Sequence, residues 1–408
     1  MTAIAAKRKR TTLLGFLATV VLVITAASMF VVGVVTLANS EEGEAVGVDV
    51  RPKVALPATP NALVAVTDAD GALTSVVVMT LLPTGIGGSI VVVPANADAT
   101  ASFGSQRRPL NEVFAADGAD VAVFATSVEE MLSITIERSQ TVTIDELATM
   151  VEGLVGDAVV IGPGQPIDEA FWADVAAAAP VASGTTVAPV DEFGQPIPPV
   201  DVDELAERLM AGEVQSRALV SRTPTEAENP TAANVVIVDR RDANLVFAQV
   251  SPALVSTPNT GLSVRIVGAF SDEQIAASNG QYESTSELML DVIGEMYFFQ
   301  ANVVSIDTQP APNGAAAVTV IQVAQPQFIE DMQAIAPIVF GESDVALAST
   351  VIEGVDVVVT LGTDYIAKHA ATPPLIDTPV DGTLDPTTAG TTDTTVAGTT
   401  GDTVVGDD

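Results

Sequence analysis

The chain contains no cysteine, which excludes a disulfide framework and any thiolate metal site. It has a single histidine, His369, so multi-histidine metal centres are excluded and Ser/His/Asp chemistry has little to draw on. Aromatic residues make up only 4% of the 408 residues, with one Trp and three Tyr. Hydrophobic residues still reach 48%, so Ala, Val, Leu and Ile must build the core. Positive charge is the other scarcity: 16 Lys and Arg face 52 Asp and Glu, for a formal net charge of -36. Nucleic-acid binding needs a basic footprint, and a phosphate backbone would repel this chain. Such acidity fits solubility in an exposed or saline setting, or an acidic composition common to a lineage. The length allows two medium domains with extensions.

The few cations are bunched at the start. Residues 1–40 carry no Asp or Glu, and their charges are Lys7, Arg8, Lys9 and Arg10. No charged residue occurs from Leu13 to Leu37. As a helix, that run would span about 37 Å, enough to cross a hydrocarbon core of about 30 Å. A signal-peptide apolar region is shorter, about 7–15 residues, so the run predicts an uncleaved transmembrane helix at 13–37 behind a basic segment at 1–12. Cleavage after Ala38 is the alternative. The basic cluster places the N terminus in the cytoplasm and the C-terminal body outside the cell, as a single-pass protein of the cell membrane. At the other end, residues 371–408 are dominated by Thr, Gly, Asp and Pro with no periodic apolar face. They predict a disordered Thr-rich tail, the alternative being a glycosylated or wall-embedded stalk.

Two blocks between these ends carry the patterns of folded domains. In the first, Asn61–Thr67, Thr74–Leu82 and Ser89–Val93 read as strands separated by turn signals at Asp70–Gly71 and Gly85–Gly88. Ser127 and Glu130 stand at capping-box spacing, as do Thr143 and Glu146. After Thr143, the residues Ile144, Leu147, Met150, Val151 and Leu154 share one helical face. Asp201–Gly212 has a helix start signal and a glycine stop, and the Pro/Gly/Thr-rich stretch 180–200 reads as a surface loop. In the second block, Leu262–Val267, Ala301–Ile306, Ala316–Val323 and Val355–Gly362 read as strands. Ser284–Met296 and Gln327–Ile338 read as helices. The alternation predicts an α/β domain over 54–256 and a small α/β sandwich over 260–370.

The order of these parts resembles the LytR-CpsA-Psr (LCP) family in its actinobacterial form, where a LytR C-terminal domain follows the LCP domain. The family pattern is a strand, a Gly-x-Asp-x-Arg-like turn, an Arg-Ser-Asp-Thr segment opening a second strand, and a third strand ending in Pro-Arg-Asp. A basic Lys/Arg-x-Asn-Ala segment and an amphipathic helix follow. Here "LVAVTDADGALTSVVVMTLLPTGIGGSIVVVPANAD" keeps that order, "RRPLNEVFAADGA" corresponds to the basic segment and "TVTIDELATMVEGLVG" to the helix. The resemblance is best between Ala62 and Gly156. In the second block it is carried by "LSVRIV" and "VDVVVTLGTDY". It implies a phosphotransferase that moves glycopolymer from a polyprenyl-pyrophosphate carrier to peptidoglycan with Mg²⁺. Such chemistry needs guanidinium forks for the phosphates, carboxylates for the metal and an apolar channel for the lipid.

Carried over position by position, the resemblance leaves gaps where the chemistry would lie. Asp68 and Asp70 remain in the first turn as metal candidates, but Ala72 and Leu73 stand where a basic residue is implied. Ser75 takes the place of the aspartate in Arg-Ser-Asp-Thr, and Ala95 and Asn96 take the places of Arg-Asp after the third strand. Arg107 and Arg108 remain in the basic segment as phosphate candidates, and Arg240 and Arg241 in "DRRDAN" are a second pair. Each has a plainer reading: an Asp-rich turn capping two strands, and surface arginines paired with some of many carboxylates. An EF-hand is excluded, because Met79 stands where a bidentate Glu is required. Trp172, Tyr297, Phe298 and Phe299 read as packing residues, and His369 has no evident partner.

The sequence therefore predicts a non-catalytic envelope protein with no catalytic residues. Its partners would be the membrane, through the anchor, and a wall glycopolymer, its lipid-linked precursor, peptidoglycan or active LCP relatives. The alternative is an active Mg²⁺-dependent transferase whose arginines are supplied by Arg107, Arg108, Arg240 or Arg241. A transcriptional role conflicts with the exported topology and the acidity.

Overall fold

The computed structural model describes residues 50–371, apart from 100–105, 117–119, 180–187, 256–260 and positions 163, 193, 253, 279 and 312. The expected anchor at 13–37 and the tail lie outside the described residues, as does the expected domain boundary at 256–260. Among the described residues no helix is long and apolar enough to cross a membrane. The described residues from Lys53 to Ala371 form one compact unit.

Its elements begin with a short strand, β1 (Lys53–Ala55), followed by β2 (Asn61–Thr67), β3 (Leu73–Leu81) and β4 (Gly88–Val93). These last three are nearly continuous runs of Val, Leu, Ile, Ala and Met, the pattern of strands covered on both faces. They pair as an antiparallel meander. Glycine is required at the second turn: a Cβ on Gly88 would lie 1.9 Å from the Thr80 carbonyl oxygen. Helices α1 (Leu110–Ala116) and α2 (Val121–Leu132) come next. The second starts at an Asp120 cap, so Ser127, expected to open a helix, lies inside one.

Strand β5 (Ser139–Thr143) runs into α3 (Ile144–Val155) through the capping box of Thr143 and Glu146. Helices α4 (Glu169–Ala178) and α5 (Val202–Met210) start at Asp168 and Asp201. Strand β6 (Val214–Ala218), the short pair β7 (Ser221–Arg222) and β8 (Ile237–Val238), and α6 (Arg240–Val250) follow.

The first sheet has the order β5-β2-β3-β4-β6, with both outer strands parallel to their neighbours. Alternate side chains divide between two cores. Ala62, Val64, Val66, Val77, Met79 and Ile90 pack under α3, α4 and α5. Leu63, Ala65, Val76, Val78, Val91 and Val93 belong to a core shared with α1, α2 and α6.

The chain continues through β9 (Leu262–Val267), α7 (Asp272–Ala276), α8 (Thr285–Phe298), β10 (Ala301–Asp307) and β11 (Thr319–Val323). It ends with α9 (Phe328–Val339), β12 (Ser343–Leu347), β13 (Val351–Glu353), β14 (Val357–Thr360) and α10 (Thr363–Ala371). The second sheet has the order β10-β9-β14-β11-β12. Val264, Ile266, Ile321, Val323, Val357 and Val359 face the same core that reaches the first sheet. Two devices join the halves. Helix α6 packs on α8 and β10, and β1 pairs in parallel with β13. The α/β class holds, with a helix-covered mixed sheet followed by a smaller α/β layer pair.

Candidate functional site

Register places the ends of four strands together. Thr67 of β2 lies beside Thr143 of β5, and Val92 of β4 beside Ala218 of β6, both in parallel pairs. The antiparallel β3 aligns β2 with β4. The carboxyl ends of β2, β4, β5 and β6 thus share one edge, where open α/β sheets hold ligands. The Asp68–Gly71 turn, the Pro94–Asp98 loop, the start of α3 and residues Leu219–Val220 all emerge there.

In the first turn, Asp68 Oδ1 accepts the backbone N–H of Asp70 at 3.0 Å and of Ala72 at 2.8 Å. The Gly71 N–H donates to the Asp68 carbonyl at 3.0 Å. This is an Asx turn closing two strands, and Asp70 projects exposed from it. The turn offers two carboxylates: Asp68, with Oδ1 already taken by two amides, and the exposed Asp70. Among the described residues no group of three or more Asp, Glu or His side chains is placed to hold a metal.

Ser75, in the place of the implied aspartate, is buried, with 3% of its surface exposed. Its Oγ accepts a hydrogen bond from Trp172 Nε1 at 3.1 Å. The indole is itself buried and packs edge-on against Phe171, ring centres 5.2 Å apart. This face of the sheet is filled by an aromatic pair from α4.

The Pro94–Asp98 loop is pinned through its backbone. The Ala95 carbonyl accepts from Asn111 N–H at 2.9 Å, and the Asn96 carbonyl from Val236 N–H at 3.0 Å. The Asp98 N–H donates to the Val236 carbonyl at 2.8 Å. Asp98, 8% exposed, forms an ion pair with Arg107 Nη1. On the other edge of the same guanidinium, Nε donates to the Glu228 carbonyl at 3.0 Å. Arg108 beside it is exposed, and its carbonyl accepts from Ala99 N–H.

Glu228 belongs to the loop between β7 and β8. Both its oxygens accept from Arg222, at 2.7 and 2.8 Å, and Oε2 also takes the Thr225 N–H and hydroxyl. The Arg222 fork, helped by the Thr225 amide, holds this carboxyl well below the ordinary glutamate range. Arg240 and Arg241 occupy the first turn of α6, capped by Asp239. Arg241 lies 3.7 Å from the Asp239 carboxylate, and its stem approaches Gly294 of α8. Arg240 is exposed, and its carbonyl accepts from the Tyr297 hydroxyl at 3.3 Å.

The structure thus ties Arg107 to Asp98 and Arg241 to Asp239. No described hydrogen bond or ion pair joins Arg107 or Arg241 to Asp68 or Asp70. Two participants carry no local sequence signal, Trp172 and Glu228, whereas Asp98 is an acid at the end of the loop and close in sequence to Arg107. Two other expectations are corrected. Phe298 is 83% exposed rather than packed. His369 has neighbours: its ring is tilted against Tyr365, centres 4.4 Å apart, and Nε2 lies 3.4 Å from Glu295 Oε1.

The sequence matches no family model, and no curated protein matches it. Solved structures give distant likenesses. The Lin1025 protein from Listeria innocua is 11% identical, with 46% of this chain and 96% of that chain covered and a TM-score of 0.31. TagU of B. subtilis is also 11% identical, with 46% and 94% covered and a TM-score of 0.29. TagT bound to LIIa-WTA is 14% identical, with 46% and 88% covered and a TM-score of 0.27. At these values the likenesses assign neither a family nor an activity to this chain.

Proposed function

We propose that this is a membrane-anchored cell-envelope protein of LCP-like architecture that binds a wall glycopolymer, or its lipid-linked precursor, without transferring it. The architecture is inferred from the order of motifs between Ala62 and Gly156. The loss of transfer is inferred from what occupies the implied positions. The observation that carries the reading is the buried Trp172–Ser75 hydrogen bond: a serine hydroxyl, taken up by an indole N–H, stands at the position for which the resemblance implies an aspartate. The neutralised Arg107 and the amide-filled Asp68 support it further. A binding role asks less of the site than phosphoryl transfer: it requires no metal to be held, and the exposed Arg108 and Arg240 are groups that contact individual phosphates against the chain's overall negative charge.

The test is recovery of the full chain from its native membrane in mild detergent, followed by analysis of bound phosphate and sugar. Retention of wall polymer, weakened by combined Arg108→Ala and Arg240→Ala substitution, is the expected result. A chain that carries no polymer and no active transferase with it would overturn the proposal.

A further inference from the structure

The loop between β7 and β8, residues 223–236, has few apolar anchors: Val235 is buried, but most of the remainder is exposed. Polar contacts hold it instead. At its base, Ser221 and Arg222 pair with Val238 and Ile237. At its middle, Glu228 is gripped by both arms of Arg222 and by Thr225. Asn229 closes the returning limb through Ala233, with Oδ1 accepting its N–H and Nδ2 donating to its carbonyl. The middle of the loop meets the β4 side through the Glu228 carbonyl on Arg107 Nε, while at the loop's end Val236 stays tied through its backbone to Asn96 and Asp98. Segments held by exposed polar bonds rather than apolar burial open at low free-energy cost.

The chemistry of that contact gives it meaning. A guanidinium presents an Nε edge well suited to the paired oxygens of a phosphate or carboxylate. In Arg107 the Nη1 side is held by Asp98, which orients the fork, and the Nε edge faces the loop. A carbonyl oxygen at 3.0 Å stands where an oxyanion oxygen would stand. We propose that residues 223–236 form an autoinhibitory strap: its Glu228 carbonyl occupies the anion-binding edge of Arg107, and the Arg222–Glu228 clasp keeps it there. Opening the clasp exposes a guanidinium edge, already positioned by Asp98, to a phosphate-type oxyanion. This regulation rests on the binding role proposed above, and it makes that role switchable.

The full chain in detergent is compared with its Glu228→Ala and Arg222→Ala variants, with inorganic pyrophosphate as the probe. Hydrogen exchange over 223–236 should accelerate about tenfold in either variant, as expected when a bidentate pair and its Thr225 cap are lost from an exposed loop. Pyrophosphate affinity, read by titration calorimetry, should rise about tenfold in the same variants and fall back when Arg107→Ala is added. Because Arg222→Ala removes a cation, any gain it shows cannot come from added positive charge. A strap that opens with no gain in affinity overturns the proposal, and so does a strap whose exchange is unchanged. If pyrophosphate binding rises as stated but no variant retains wall polymer, the strap stands and the proposed function fails.

Discussion

Ser75 and Trp172 lie far apart in the chain, yet one hydrogen bond between them decides how the candidate site is read. A carboxylate at position 75 would be desolvated beside an indole and a phenyl ring with no cation to meet it. Ser75→Asp should therefore lower unfolding free energy by about 3 kcal/mol, whereas Ser75→Ala should cost about 1 kcal/mol. Urea unfolding followed by circular dichroism measures both, and similar effects of the two substitutions would contradict the packing described here.

A second residue-scale test concerns Glu295. Burial lifts its carboxyl to about 7, against the opposing influence of Lys368 and the Tyr365 hydroxyl, and the Asp291 charge adds to the rise. The folded state holds this proton more tightly than the unfolded chain, so the associated stability is present below about pH 4.5 and is lost as pH rises through about 7. His369 works the other way: burial, with the Lys368 charge, depresses its pKa below 6.5 despite Asp291, so its contribution is lost as pH falls. The His369 contribution is complete only about one pH unit above 6.5, so up to there it offsets part of the Glu295 loss. The Glu295 loss between pH 6.5 and 8 should amount to about 0.5 kcal/mol, allowing for partial solvent screening, and Glu295→Gln should remove it. Thermal melts across this range decide it, and a drop unchanged in the variant would contradict the assignment.

At the scale of elements, legibility followed how far a signal reaches. Strands β2 and β9 coincide with their sequence readings, because runs such as Ala62–Val66 are apolar on both faces and leave little choice. Helix α3 was legible from Thr143 and Glu146 alone, since a capping box is a local device. Strand β5 was not: Ser139–Thr143 is polar and only half covered, and its last residue doubles as the helix cap. For α2 the spacing of Ser127 and Glu130 imitated a cap inside a helix that Asp120 begins. The loop after Val93 was legible as the end of a buried strand, but what surrounds it depends on contacts between distant segments. Thr143→Ala should cost about 1 kcal/mol, being a helix cap on an exposed turn. Equilibrium unfolding reads this directly, and a neutral substitution would mean that the box contributes nothing beyond the strand pairing.

For the whole molecule, the shared core and the β1–β13 pairing bind the two sheets into one unit. Phe247 of α6, fully buried in that core, is the natural probe. Phe247→Ala should destabilise by about 3–5 kcal/mol and should lower both sheets together in a single transition. Hydrogen exchange that weakens only β9 to β14, with the first sheet untouched, would show instead two independently stable halves.

The proposed binding role, with an LCP-like architecture kept and its reaction lost, is tested most directly by turnover. The full chain in detergent micelles is incubated with Mg²⁺ and a polyprenyl pyrophosphate, and phosphate release is followed over hours. The account predicts release no faster than in protein-free micelles, with no change in the Arg107→Ala variant. Release above that background, abolished by Arg107→Ala, would contradict it.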